Sequence, residues 1–189
     1  MMTKNFDFAL GEYRGYLSLL ARSQWDSYLL RKWGEPSDLV QEVIKEALRI
    51  RERFSGETSG AYKAWLRAIL ANQLRKVIGY CRKKKRDYRR IESLDAELEG
   101  SSARLGSWVT GGDPTPSEVA VTLERLNCLE DALARLSDDH LAAVTNHHLK
   151  GLSLKETARL MGRTEPAVAG LLRRGLGHLS ELMAKVTNE

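Results

Sequence analysis

Cysteine is scarce: Cys81 and Cys128 are the only two in 189 residues. Both fall in stretches with helical periodicity, which excludes a dense disulfide framework and fits a reducing compartment. Long apolar runs are also missing. None approaches the ~20 residues needed to cross a bilayer, and the N-terminus Met1-Met2-Thr3-Lys4 is soon followed by Asp7 and Glu12. The expectation is a soluble, unexported, cytoplasmic chain with no membrane contact. Histidine is limited to His140, His147, His148 and His178. The adjacent His147 and His148 are expected on different helix faces, so no convergent metal site is predicted. There is no glycine loop of the G-x-x-x-x-G-K type and no nucleophile motif, so neither a cofactor nor intrinsic catalysis is expected. Strand-like alternation and internal repeats are absent as well, which leaves an all-α fold.

What is present is charge, unevenly spread. Residues 1–90 hold 20 Lys/Arg against 10 Asp/Glu, residues 91–150 hold 4 against 11, and residues 151–189 hold 6 against 4. Two basic ends around an acidic middle suggest two contacts with a polyanion, separated by a segment that avoids it.

Periodicity divides the chain further. Tyr16, Leu17, Leu20, Ala21, Leu29 and Leu30 predict one helix or a bent pair before Trp33. After "GEPSD", Asp38 and Gln41 have capping-box spacing at the head of an amphipathic helix. Leu39, Val40, Val43, Ile44, Ala47 and Leu48 form its apolar stripe, with Asp38, Gln41 and Glu42 outward. Beyond the "SGETSG" loop, Trp65, Leu66, Ile69, Leu70, Leu74, Val77 and Ile78 recur at helical spacing. From Arg67 to Arg90 there are ten basic residues and one acid, Asp87. That block reads as a polyanion-binding helix displaying Tyr62, Trp65 and Tyr80, although Trp65 shares a stripe with Leu66 and Ile69, which favours a core position. Residues 94–117 have the glycine, serine and proline density of a flexible acidic linker. A second helical unit then starts near Pro116.

Within that unit lies "LSLKETARLMGRTEPAVAGLLRR". In a twenty-residue window from Leu154, Ala158 falls fifth, Gly162 ninth, Val168 fifteenth and Leu171 eighteenth, the helix-turn-helix pattern. A small residue lets the helices approach, glycine permits φ > 0 in the turn, and the two apolar residues fill the angle. Thr164 is the expected N-cap of the second helix, with Pro166 in its first turn. Any two short helices around a glycine turn could match by chance, but the cap and the terminal Arg173-Arg174 pair favour nucleic-acid binding, with the helix N-terminus in the major groove.

Taken together, these stretches resemble small two-domain bacterial RNA polymerase sigma factors of the sigma-70 class, the extracytoplasmic-function (ECF) type. "SDLVQEVIKEALR" is similar to the family's polymerase-binding helix, "AWLRAILANQLRKVIGYCRKKKR" to its promoter-melting helix, and "GLSLKETARLMGRTEPAVAGLLRRGL" to its final helix-turn-helix. The resemblance implies a region 2-like domain over 1–93, the linker over 94–117, and a region 4-like domain over 118–189. It implies that Asp38, Gln41 and Glu42 dock on a coiled coil of the polymerase's largest subunit, the flap being the other polymerase contact. Tyr62, Trp65, Asn72, Arg75 and Lys76 would engage the −10 element, as double-stranded and then single-stranded DNA, while Arg82, Lys83, Lys84, Lys85 and Arg86 add affinity without sequence information. Thr164, Glu165, Ala167, Ala169, Arg173 and Arg174 would meet the −35 element. Many relatives carry a lysine and a polar residue where this chain has Ala169 and Gly170, so its reading helix is expected to discriminate modestly. By the same resemblance an anti-sigma factor is a candidate regulator. The acids Asp95, Glu97, Glu99 and Asp113 would line a positively charged polymerase channel.

Linker length supports a scaffold independently. A coil of about two dozen residues has an r.m.s. span of ~25–30 Å and a full extension of ~80 Å, whereas DNA elements two helical turns apart lie ~70 Å from each other. The competing readings are a polymerase-independent helix-turn-helix regulator and a non-specific RNA-binding or adaptor protein.

Overall fold

The computed structural model describes residues 10–81, 86–110 and 118–186. Among these there is no strand, in agreement with the all-α expectation. A 3-10 turn, Leu10–Tyr13, leads into α1 (Arg14–Gln24), then α2 (Ser27–Lys32), α3 (Pro36–Arg49), α4 (Ser59–Cys81) and α5 (Arg86–Thr110). The second half comprises α6 (Val119–Ala134), α7 (Asp138–Val144) with a π-helical extension Thr145–Leu149, α8 (Leu154–Met161) and α9 (Glu165–Val186).

Of one helix or a bent pair before Trp33, the structure has the pair, broken at Trp25-Asp26. Trp25 is extended there, its indole Nε1 donates to the Gly34 carbonyl at 2.9 Å, and Leu29 N–H donates to Asp26 Oδ1 at 2.9 Å. Gly34 closes the turn at φ +124, a conformation that glycine adopts without a Cβ penalty.

Helix α1 is the axis of the molecule because its apolar residues do not keep to one face. Tyr16, Leu17, Leu19, Leu20 and Ala21 are all buried, and a helix apolar all round must be covered on all sides. It packs on α3, α4 and α5, and on α6 from the C-terminal half. Gly15 sets the distance of closest approach. A Cβ there would lie 2.5 Å from Asn127 Oδ1 and 2.7 Å from Asn127 Cα. Gly15 N–H donates to Asn127 Oδ1 at 2.7 Å, and Asn127 Nδ2 donates to the Glu12 carbonyl at 3.1 Å.

Two local expectations are corrected. The Asp38-Gln41 capping box does not form: α3 starts at Pro36, three residues earlier than that cap implies, with Glu35 in the N-cap position and no side-chain cap bond. Proline's missing N–H costs little at that point, and Asp38 instead sits in the first turn, where its charge favours the helix dipole.

The larger correction concerns 94–117. This stretch was expected to be a flexible coil, yet it is helical as far as Thr110; residues 111–117, Asp113 among them, lie outside the described residues. Leu94, Leu98, Ser101 and Leu105 are buried, and at three- and four-residue spacing they make one stripe on a helix that packs chiefly on α4, and also on α1, α6 and the π-helical extension. Docking of this stripe outweighs the poor helix propensity of its glycines and serines.

The second half matches its sequence pattern closely. Ala158, Val168 and Leu171 are buried and Gly162 takes φ +63, while Ala167 N–H donates to Thr164 Oγ1 at 3.4 Å. Ser153 and Glu156 add a full capping box at the head of α8. Ser137 occupies the N-cap position of α7 without a side-chain bond. His147 and His148, expected to diverge, meet edge to face with ring centroids 4.9 Å apart in the wider π turn.

Candidate polymerase and nucleic-acid interface

Asp38, Gln41 and Glu42 are all exposed on α3, as the stripe required. With Trp33, Gln73, Lys76 and Val77 they line an open hollow of about 450 Å³ between α3 and α4. Glu42 pairs with Lys45 at 2.7 Å, an exposed contact that a partner's charge can replace at little cost.

On α4 the predicted residues separate. Tyr62 is 6% exposed, packed against Tyr13, Phe54 and Trp65 with centroids 5.0–5.4 Å away. An unpaired base cannot reach its ring, so its assignment to stacking on DNA is corrected. Burial among these rings also pushes its hydroxyl pKa up. Trp65 is half-buried in the same cluster, 5.2 Å from Phe54, which bears out the core placement that its stripe favoured. Among the described residues, the exposed aromatics are Tyr80, 77% exposed, and Trp33, 40% exposed, in edge contact at 6.3 Å. Trp33 was missed because it lies outside α4, and only the fold brings it there.

Asn72 and Lys76 are exposed. Arg75 donates to Asn72 Oδ1 at 2.9 Å and pairs with Asp95 of α5. Glu99 Oε1 lies 4.0 Å from Arg67 Nη2. Thus two acids expected to line a polymerase channel face cations of α4. Glu97 instead accepts from Ser93 Oγ at 2.5 Å. Arg82, Lys83, Lys84 and Lys85 lie outside the described residues, and Arg86 opens α5.

Thr164, Glu165, Ala167, Ala169, Arg173 and Arg174 are all exposed on the leading half of α9. Arg163 is held by Asp139 at 2.7 and 2.8 Å, which fixes the turn to α7. The bare centre of the helix is partly filled: a Cβ at Gly170 would sit 3.4 Å from Arg174 Nη1, so that guanidinium lies back over the glycine. The site therefore presents a cationic end and a smooth apolar middle.

Comparison with known proteins gives this geometry a family. Residues 126–179, from the middle of α6 into α9, match the family described as Sigma-70, region 4. Over 148 residues the chain is 30% identical to the ECF RNA polymerase sigma factor SigL of Mycobacterium tuberculosis, covering 77% of this chain and 74% of that one. This chain belongs to the ECF RNA polymerase sigma factors. The sigma factor is also 26% identical to SigW of Bacillus subtilis over 142 residues, covering 75% and 71% of the two chains. It is 26% identical to SigX of the same organism over 163 residues, covering 86% and 77%. As a sigma factor it acts in transcription initiation. No helix among its described residues is long and apolar enough to cross a membrane. Nor do the described residues gather three or more His, Cys, Asp or Glu side chains that could hold a metal.

Proposed function

We propose that this sigma factor binds core RNA polymerase through α3 and α4 and directs it to promoters, with α4 engaging and holding open the −10 element and α9 binding the −35 element. The observation that carries this reading is a combination. One chain presents an exposed acidic and amide face on α3 beside a cationic α4, and it also carries a helix-turn-helix whose reading face is free. Asp38, Gln41 and Glu42 supply the acceptors and amide for the coiled coil of the polymerase's largest subunit, and the C-terminal helices meet its flap. On α4, Asn72, Arg75 and Lys76 follow the phosphates, where counterion release makes affinity steeply salt-dependent. On α9, Arg173 and Arg174 anchor the backbone, while Ala167 and Ala169 offer at most an apolar contact to a thymine methyl.

In this reading residues 1–93 and 118–189 work as separate promoter-contacting units in the cytoplasm, and all bond chemistry belongs to the polymerase. An anti-sigma factor would act by covering α3 or the C-terminal helices. The test is reconstitution: purified chain added to core polymerase is expected to give transcription from selected promoters. Inactivity there, together with tight sequence-specific binding of DNA by the free chain, would refute it in favour of a polymerase-independent regulator.

A further inference from the structure

Between α5 and the π-helical extension lies an open hollow of about 310 Å³, lined by Arg104, Ser107, Trp108, His147 and His148. None of these residues belongs to the faces assigned above to polymerase or promoter. Each of the five side chains carries an N–H or O–H donor, and no carboxylate stands among them. Elsewhere Arg22, Arg49, Arg67, Arg75 and Arg163 each lie within 4.0 Å of a carboxylate. Arg104, half-buried, pairs with none among the described residues.

The guanidinium is nevertheless held in place. Arg104 Nε and Nη2 donate to the Leu149 carbonyl at 3.1 and 3.0 Å, and Nη2 also donates to Ser101 Oγ at 3.0 Å. A Cβ on Gly151 would lie 3.0 Å from Nη1, so the group is pressed against the backbone. These acceptors are all neutral: they fix the guanidinium without balancing its charge, and Nη1 has no acceptor among the described residues. Around it, Trp108 stacks on His148 with centroids 5.1 Å apart and planes 19° from parallel. His147 Nδ1 lies 2.7 Å from the Leu152 carbonyl, and because a carbonyl only accepts, Nδ1 carries the proton. Ser107 Oγ, Trp108 Nε1 and the His148 ring nitrogens meet no acceptor among the described residues. A partly buried cation with idle donors beside it is best satisfied by an anion, since hydrogen bonds to a charged acceptor are about twice as strong as neutral ones.

We propose that this hollow binds a small, doubly charged oxyanion, inorganic phosphate or a phosphate monoester, with Arg104 Nη1 as its charged anchor and Ser107, Trp108 and His148 as further donors. Its volume lies at the lower end of small-molecule pockets. The site is independent of the promoter assignments of α4 and α9. Acid should tighten it: His147 can take a second proton at Nε2, burial and His147 hold His148 neutral in the empty site, and a bound dianion favours the charged form of both rings. Nearby charges do not compete. Lys150 Nζ donates to the Trp25 carbonyl at 3.2 Å, and Glu156 of α8 accepts from Ser153 N–H and Oγ at 2.9 and 2.7 Å.

Sulfate, which keeps two charges across neutral pH, is the first probe. The isotope-labelled full chain is titrated with sodium sulfate at constant ionic strength, and the indole N–H signals of its four tryptophans are followed by nuclear magnetic resonance. The Trp108 signal is identified by its loss in Trp108→Phe. It alone should shift and saturate, with a half-saturating concentration about two- to tenfold lower at pH ~6 than at pH ~7.5. Ser107 is exposed, so Ser107→Glu leaves the packing alone while placing a carboxylate at the mouth; it should raise half-saturation about tenfold or more. Arg104→Gln should do the same, and because it also gives up part of the Leu149 contact it is read beside Ser107→Glu, which does not. Adenosine monophosphate should reproduce the sulfate shift, whereas a single-stranded oligonucleotide without a terminal phosphate should not. No saturable shift, a shift shared by all four indoles, unchanged affinity in Ser107→Glu, or preference for the oligonucleotide's diesters overturns the site.

Discussion

Replacing Gly15 by alanine tests the packing of the two halves more directly than any other single change. The new methyl would overlap Asn127 Oδ1 at 2.5 Å, Cα at 2.7 Å and backbone N at 2.8 Å. Two of these atoms are backbone, so no rotamer change relieves them and α1 must move away from α6. Overpacking of this kind costs about 1–3 kcal/mol. The shift also stretches the Gly15 N–H to Asn127 Oδ1 bond and the Asn127 Nδ2 to Glu12 carbonyl bond, at about 0.5–1.5 kcal/mol each. Against this, alanine for glycine in a helix gains about 1 kcal/mol. The net expectation is a loss of about 1–5 kcal/mol, or a fall of roughly 2–20 °C in thermal midpoint for a chain of this size. Gly177→Ala in α9 is the control, because a Cβ there meets nothing within 4 Å; it should raise the midpoint by about 2–4 °C. Calorimetry or circular dichroism on the two variants decides. If Gly15→Ala is as stable as Gly177→Ala, or if adding Asn127→Ala restores stability despite the backbone overlap, the close approach of α1 and α6 is wrong.

Arg173→Ala with Arg174→Ala should weaken −35 binding and reduce the magnitude of its salt slope by about one to two contacts; an unchanged slope in a filter-binding titration would show that neither touches phosphate. Ser153→Ala removes the capping box and should cost about 1 kcal/mol, a fall of about 2–4 °C, seen in thermal unfolding. Its partner Glu156 has its pKa lowered by the Ser153 side chain and backbone, so this support is present above the ordinary carboxylate range and is lost as pH falls through the depressed value. Burial, with the neighbouring His147, holds His148 below its ordinary 6.5. The unfolded chain therefore takes up a proton first, and stability should decline as pH drops below about 6.5. His148→Gln should flatten that part of the curve, and an identical curve would mean that His148 is not buried against Trp108.

The parts of the fold legible in the sequence are those whose causes are local. Ala158, Gly162, Val168 and Leu171 announce α8 and α9 because a tight two-helix corner constrains each position by itself. The α3 stripe was equally plain apart from Leu48, which is 57% exposed, but its start was not: Pro36 and Asp38 both suit a first turn, and only the backbone decides between them. Helix α5 was hidden because its glycines and serines speak for a coil, while Leu94, Leu98, Leu105 and Trp108 make a stripe only once α4, α1 and the C-terminal helices are there to receive it. Tyr62 and Trp65 had the same limitation. Periodicity places Trp65 near the core but leaves Tyr62 on display, because Phe54 and Tyr13, which bury Tyr62, come from other elements. Asp95 and Glu99 read as linker charge until α5 is laid along α4.

Gly170 and the alanines beside it matter in one further respect. The outward face of α9 from Ala167 to Gly170 carries no side chain on which the core depends, and the one group overlying Gly170 is the movable end of Arg174. Residues there can be exchanged for longer, hydrogen-bonding ones without disturbing Val168, Leu171 or Leu172 beneath. Under the −35 role proposed for α9, promoter preference and stability are thereby uncoupled in this helix. A lineage carrying this chain could acquire a new set of target genes by substitutions at two or three adjacent positions, with no compensating change elsewhere in the molecule.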